Sequence, residues 1–380
     1  MDIESLISPH LRAMQPYTPI APFEVLARRL GRDPSQIVKL DANENLYGPS
    51  PRALQAIAQC GAFHIYPDPD QTALREAISA YINVPAAQVL CGAGADEVID
   101  LLTRAFVQPG DVVIDLPPTF GMYRFESDVV NARYIAVPRR PDFSVDVDAV
   151  CAAVMDMQSA GQTPKLLFLS NPNNPDGSLI DEDDLRRLLE LPLVVVLDEA
   201  YIDFSGRPSC AAWVCEWDNL VVLRTFSKLA GLAGLRVGYG VFPLQIIRHL
   251  WKIKQPYTPN VAASVAAIAA LSDPDYLRDT VQRIVAERER LKGALKEVGW
   301  LHVYPSHTNF VLCRVDRTRA PDTLLRSSEP IGKVLKQALQ DRGVLVRYFD
   351  KDGLRDCVRV SVGKPEHTEA LLNALRDIAA

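Results

Sequence analysis

Two coupled α/β lobes are the architecture this sequence predicts: a large domain with a mainly parallel seven-stranded sheet flanked by helices, and a smaller α+β domain from the two chain ends. Three observations carry that expectation. At 380 residues the chain is longer than one simple core requires. Short β-rich apolar runs alternate with helical patterns between residues 89 and 241, as strand–helix–strand units do. Beyond about Asp273 the texture changes to a long charged helix followed by an α+β pattern.

The first forty or so residues are punctuated by prolines and read as irregular, and they are expected to pack against the smaller lobe. Residues 89–91, 112–116, 134–137, 166–170, 194–198, 221–225 and 237–241 are apolar enough to be strands buried on both faces. Between them lie helical segments such as 96–106, with Val98, Leu101, Leu102, Ala105 and Phe106 on one stripe, which implies right-handed crossovers. The alanine-rich run 260–271 is too short to cross a bilayer and reads as a buried helix. DYLRDTVQRIVAERERLKGALKEVG predicts one long helix leading toward the second lobe. Short strands around Leu301 and Phe310, a helix from Ile331, strands near Leu345 and Val360 and a closing helix from Pro365 complete that lobe. The large domain is thus expected over 47–285, and the small one over 1–46 with 286–380.

Lys and Arg number 41 against 47 Asp and Glu, leaving a net charge of −6 with no basic tail, so nucleic acid is not an expected partner. Seven scattered cysteines form no C-x-x-C pair, which argues against a metal site and suits a reducing cytoplasm. The acidic start MDIESLISPHLRAM lacks the marks of a signal peptide, and no apolar run is long enough to span a membrane.

Ligands of open α/β sheets gather at the carboxyl ends of the strands, so the residues just after each strand carry the most information. After the first comes Gly92-Ala93-Gly94-Ala95-Asp96-Glu97, a turn opening a helix, whose free N–H groups suit a phosphate; a merely structural tight turn is as common. Ser170-Asn171-Pro172-Asn173-Asn174-Pro175-Asp176-Gly177 after the fourth reads as a rigid turn that leaves Asn174 able to point into a site. After the fifth, Asp198-Glu199-Ala200-Tyr201 puts a carboxylate where desolvation is expensive, so a cationic partner is expected, a structural salt bridge being the bland alternative. The sixth leads into Thr225-Phe226-Ser227-Lys228, with Arg236 eight residues beyond the lysine. Crowding by glycines and apolar residues desolvates Lys228 and makes its amine a better nucleophile toward an aldehyde, while Arg236, Thr225 and Ser227 suit phosphate oxygens.

These four motifs, in this order, resemble the aspartate-aminotransferase-like (fold type I) pyridoxal-phosphate enzymes over almost the whole chain. The resemblance implies pyridoxal 5'-phosphate held as a Schiff base by Lys228, with Lys228 then moving the α-proton. It also implies Asp198 at the ring nitrogen, Tyr201 and Asn174 at the ring's phenolate oxygen, and Phe120 on the ring face. Ala95 and Asp96 N–H groups, Thr225, Ser227 and Arg236 would take the phosphate, and Tyr66 would reach the phosphate of a partner subunit in a homodimer.

Asp41-Ala42-Asn43-Glu44-Asn45, Pro118-Thr119-Phe120-Gly121-Met122-Tyr123, Gln255-Pro256-Tyr257, Ser306-His307-Thr308-Asn309-Phe310 and Val358-Arg359-Val360-Ser361-Val362-Gly363 resemble one branch of that family. Its members pass the amino group of histidinol phosphate to 2-oxoglutarate, giving imidazole acetol phosphate and glutamate, in histidine biosynthesis. The branch implies Arg359 and Arg347 at the substrate phosphate, with Tyr17, Tyr257 and Asn43 as neighbours; Arg347 as a solvated strand-end charge is the plainer alternative. Ala93, Ala95 and Asp176 depart from the usual residues, although backbone donors survive. An aromatic amino-acid aminotransferase or a phospho-amino-acid decarboxylase would share every motif. A non-catalytic effector-binding domain would not need the intact surroundings of Lys228.

Overall fold

The computed structural model describes residues 1–17 and 23–380, and among them two sheets organise the chain. The larger has seven strands in the order β2-β8-β7-β6-β5-β3-β4, where β2 is Val89–Gly92, β3 Val112–Asp115, β4 Arg133–Ala136, β5 Leu166–Ser170, β6 Val194–Asp198, β7 Leu220–Thr225 and β8 Gly238–Val241. Only β8 runs antiparallel to its neighbours β2 and β7; the remaining pairs are parallel. The expected mainly parallel seven-stranded sheet is therefore present. The first four residues of β5 and of β7 are apolar because helices cover both faces: Leu167, Leu169 and Val222 join one core, and Leu166, Phe168 and Val221 the other. Each such fully buried side chain contributes about 1.5–3 kcal/mol.

Two sequence expectations require correction. The third predicted strand is not buried on both faces. It is the sheet's edge strand β4, with Arg133 and Ala136 exposed. The N-terminal segment is neither irregular nor confined to the smaller lobe. It forms helical turns at Ile3–Leu6, Pro9–Ala13 and Phe23–Leu30, and the His10 ring lies 3.2 Å from the Val129 carbonyl of helix Met122–Val129, on the large-sheet side. Ala27 and Ile37, by contrast, pack on Leu345, as expected.

The second sheet has the order β1-β11-β12-β10-β9, with β1 at Val38–Leu40, β9 at Leu301–Val303, β10 at Phe310–Val315, β11 at Val344–Tyr348 and β12 at Cys357–Ser361. Both chain ends meet here, since β1 pairs in parallel with β11 and helix Pro365–Ala379 closes the core. The unbroken 24-residue helix Pro274–Glu297 belongs to both cores: Leu277 packs with the large sheet, and Ile284, Leu291 and Leu295 pack with the small one. Its buried Arg288 donates from Nη1 to the carbonyls of Phe204 (2.9 Å) and Thr308 (3.0 Å), tying segments of the two lobes together.

Candidate active site

Because β8 is antiparallel to both β2 and β7, those two run the same way as β5 and β6, and all four carboxyl ends lie at one edge. At the end of β2 the chain turns through Gly94 (φ +81°) into helix Ala95–Phe106, whose N-terminus has no side-chain cap. A Cβ on Gly94 would sit 2.5 Å from Arg236 Nη2, and one on Gly238 would sit 2.5 Å from the Ala95 nitrogen. Both glycines let backbone and guanidinium approach one another. Around this turn Arg236 Nη2 pairs with Asp96 Oδ2 at 2.7 Å, and the Thr225 hydroxyl donates to Ser227 Oγ at 3.0 Å.

Beside it, Asp198 at the end of β6 is buried and accepts hydrogen bonds from the Tyr123 hydroxyl (2.6 Å, Oδ2) and the Ala200 N–H (2.9 Å, Oδ1). Among the described residues it has no ion pair, so the structural salt bridge weighed from sequence is absent. Burial holds its carboxyl above the ordinary range, while the Tyr123 hydrogen bond pulls the other way. Lys228 follows β7. Its Nζ donates weakly to the Ala42 carbonyl at 3.3 Å and lies 5.8 Å from the centre of the Tyr201 ring. Burial, with Arg359 adding to it, pushes this amine down to about 8. The sequence-expected desolvation of Lys228 is thus realised. Every expected cofactor-side residue except Tyr66 lines one cavity of about 200 Å³.

A second cavity of about 570 Å³ shares Ala42, Phe120, Asn174, Tyr201 and Lys228 with the first and adds Tyr17, Asn43, Arg347 and Arg359. Arg347 on β11 and Arg359 on β12 stand directly opposite each other in the register, with both guanidiniums against Phe349 at 5.6 and 5.4 Å from its ring centre. Arg359 donates to Asn174 Oδ1 (2.5 Å) and to the Asp41 carbonyl (2.9 Å), and its buried Nε has no partner among the described residues. Neither arginine forms an ion pair with a described carboxylate. Burial lowers Arg359 to about 10, Tyr201 opposes that, and Arg347 adds to it. Asn43, at φ +54°, donates from Nδ2 to the Tyr201 oxygen at 3.1 Å and accepts from the Ser361 hydroxyl at 3.0 Å. The Asn174 Nδ2 group and the Tyr201 proton keep no acceptor among the described residues.

The family model for aminotransferase class I and II matches residues 35–375. The chain belongs to that family. Its similarity to histidinol-phosphate aminotransferase 1, chloroplastic, of Arabidopsis thaliana is 52% identity over 98% of this chain and 86% of that one. With histidinol-phosphate aminotransferase of Roseiflexus castenholzii it shares 50% identity over 99% of each. The solved histidinol-phosphate aminotransferase of Sinorhizobium meliloti in complex with pyridoxal-5'-phosphate superposes with a TM-score of 0.86, 27% identity and coverage of 99% and 98%. A class I and II aminotransferase uses pyridoxal phosphate, and the donor set here suits it: uncapped N–H groups with Arg236 for an anion, a buried carboxylate lacking a protein cation, and an amine near 8.

Two expected residues of this aminotransferase do not join the site within one chain. Tyr66, 76% exposed, stacks on Tyr257 with ring centres 4.4 Å apart, and the two line a separate surface cleft with Phe63 and Asn260. Within one chain Tyr257 therefore lies beside Tyr66 and outside the cavity of Arg347 and Arg359. Three site residues were not singled out from the sequence. They are Tyr123, which holds Asp198; Lys351, which lines the arginine cavity; and Glu97, whose carboxylate accepts from the Ala93 N–H (2.5 Å) and the Thr258 hydroxyl (2.8 Å). Only the Pro118–Tyr123 segment held a signal, an aromatic three residues after Phe120.

Proposed function

We propose that this aminotransferase moves the amino group of histidinol phosphate to 2-oxoglutarate, giving imidazole acetol phosphate and glutamate. The observation that carries the substrate class is the facing pair Arg347 and Arg359, two cations that form no ion pair with a described carboxylate, in the cavity that also holds Lys228. A dianionic phosphate satisfies two guanidiniums better than one carboxylate does, and glutamate enters the same pocket with a carboxylate on Arg359 alone. The names of the relatives at 50–52% identity support the same substrate.

Pyridoxal phosphate held here would supply an aldehyde carbon for the amine and an electron-withdrawing ring for the α-carbon. Asp198, ionised, keeps a proton on the ring nitrogen. Tyr201 donates its free hydroxyl proton, and Asn174 its amide N–H, to the phenolate oxygen, while Phe120 covers the ring face. The N–H groups of Ala95 and Asp96, Thr225, Ser227 and Arg236 hold the phosphate. Lys228 Nζ anchors the cofactor and, once freed, takes and returns the proton at the substrate α-carbon. With its pKa near 8 it is roughly one-tenth neutral at pH 7, against about one part in three thousand for an ordinary lysine. Arg359, held by Asn174 and the Asp41 carbonyl, orients the substrate anion together with Arg347, Tyr17 and Asn43.

The exposed Tyr66–Tyr257 stack supports a homodimer in which each subunit lends these rings to the partner's site. We assign the cofactor-binding domain to 47–285 and the small domain to 1–46 with 286–380, the boundary lying within helix Pro274–Glu297 and the helical turn Pro9–Ala13 reaching across to helix Met122–Val129 of the larger domain. No helix among the described residues is long and apolar enough to cross a membrane. We assign the enzyme to the cytoplasm on its seven free cysteines, which suit a reducing compartment. Titration of cofactor-loaded protein with histidinol phosphate is expected to bleach the cofactor's visible band, and 2-oxoglutarate to restore it. Negligible response to histidinol phosphate beside rapid response to phenylalanine would overturn the substrate assignment.

A further inference from the structure

We propose that Tyr123 is a positioning residue that acts through Asp198: its O–H fixes the orientation and the ionised form of that carboxylate, and its ring props Phe120. The proposal rests on the cofactor reading above and adds a residue to it. Tyr123 is completely buried in helix Met122–Val129, where a phenol without an acceptor would be costly. Many acceptors would satisfy it structurally. The one it has is Asp198 Oδ2, 2.6 Å away, on the carboxylate that has no cation among the described residues.

Three contacts fix the phenol there. Its ring stacks on Phe168 of β5, with centres 4.8 Å apart and planes 3° from parallel, so the hydroxyl cannot swing without disturbing the sheet. Phe120 meets it edge-on at 5.6 Å and 84°. The backbone of the same helix is held by its own Ser127, whose hydroxyl donates to the Tyr123 carbonyl at 2.7 Å. One side chain thus links two groups that would touch the cofactor ring, Phe120 on its face and Asp198 at its nitrogen. Because burial raises the phenol's pKa well above its ordinary value, it stays a donor and favours a charged Asp198 over a neutral one.

The test compares wild type with Tyr123→Phe in the full-length protein, freed of cofactor and titrated with two probes: pyridoxal phosphate and its analogue with carbon in place of the ring nitrogen. Loss of one hydrogen bond to a charged group is expected to weaken pyridoxal phosphate binding about ten- to hundredfold. For the carbon analogue, which gives Asp198 nothing to pair with, wild type and variant are expected to agree within about twofold, as they are for pyridoxal phosphate in an Asp198→Asn background. Equal losses for both probes would mean that the Tyr123 hydroxyl serves packing alone, and unchanged affinity would remove any role for its O–H at Asp198; either result overturns the proposal. Melting of the cofactor-free proteins separates a folding defect from a binding one. Wild type that takes up neither probe would instead defeat the cofactor reading itself, and with it the role given to Tyr123.

Discussion

Replacing Lys228 by methionine is expected to abolish turnover while making the cofactor-free protein more stable. Methionine keeps the apolar stem and removes the charge. An amine displaced by burial from 10.5 to about 8 costs the folded state about 3 kcal/mol in its charged form. Against that stand one long hydrogen bond to the Ala42 carbonyl and the distant Tyr201 ring, together about 1–1.5 kcal/mol. The net expectation at pH 7 is a gain of about 1–2 kcal/mol in urea unfolding of the cofactor-free chain. Because the folded pKa lies below the unfolded one, the penalty is fully present below about pH 8 and is relieved as pH rises from 8 toward 10.5. The advantage of the variant should shrink over that window. Arg359, Arg236, Glu44, Asp96 and Asp198 are charged groups that act on the amine, and the difference between the two proteins cancels what they share. A variant less stable than wild type at pH 7, or one whose advantage grows with pH, would refute the view of Lys228 as a desolvated amine held ready for chemistry. Single-turnover assays on the same samples should show a loss of at least about a thousandfold.

Other perturbations separate the two halves of the site. Arg347→Ala should raise KM for histidinol phosphate about tenfold or more while changing that for glutamate by only about twofold, since Arg359 alone serves a single carboxylate; equal losses for both would contradict the shared-phosphate reading. Gly94→Ala places a Cβ against Arg236 at positive φ, so it should weaken pyridoxal phosphate binding and destabilise the chain by about 1–3 kcal/mol, checked by cofactor titration and melting. Tyr66→Phe should weaken cofactor binding about tenfold without altering the melting of the cofactor-free protein, and mixed dimers with Lys228→Met should recover up to half the activity if each site borrows the partner's tyrosine.

The strands that deliver the site were legible because β5, β6 and β7 lie between two layers of helices and so read as apolar runs, LLFL before Ser170, VVVL before Asp198 and LVVL before Arg224 and Thr225. β4 has the same texture over Tyr134, Ile135 and Ala136, but whether a strand has one neighbour or two depends on sheet order, which no local pattern encodes. The N-terminal turns escaped notice because Pro9–Ala13 is only five residues long and gains its footing from helix Met122–Val129, distant in sequence. Lys228 and Arg236 could be paired by spacing along one segment. Tyr123 could not, since its acceptor lies 75 residues away across the sheet. Tyr257 stands beside Tyr66 and not beside the arginines of its own chain, a placement that the local sequence around it does not encode.

The helix shared by both cores behaves as a spar of about 36 Å, at 1.5 Å per residue over 24 residues. Swinging the arginine-bearing sheet away from the lysine-bearing one would unseat Leu277 at one end of that spar or Leu291 and Leu295 nearer the other. The span from reactive amine to anion grip is therefore a fixed gauge built into the scaffold, and a molecule is accepted or refused according to how far its amino group lies from its negative end.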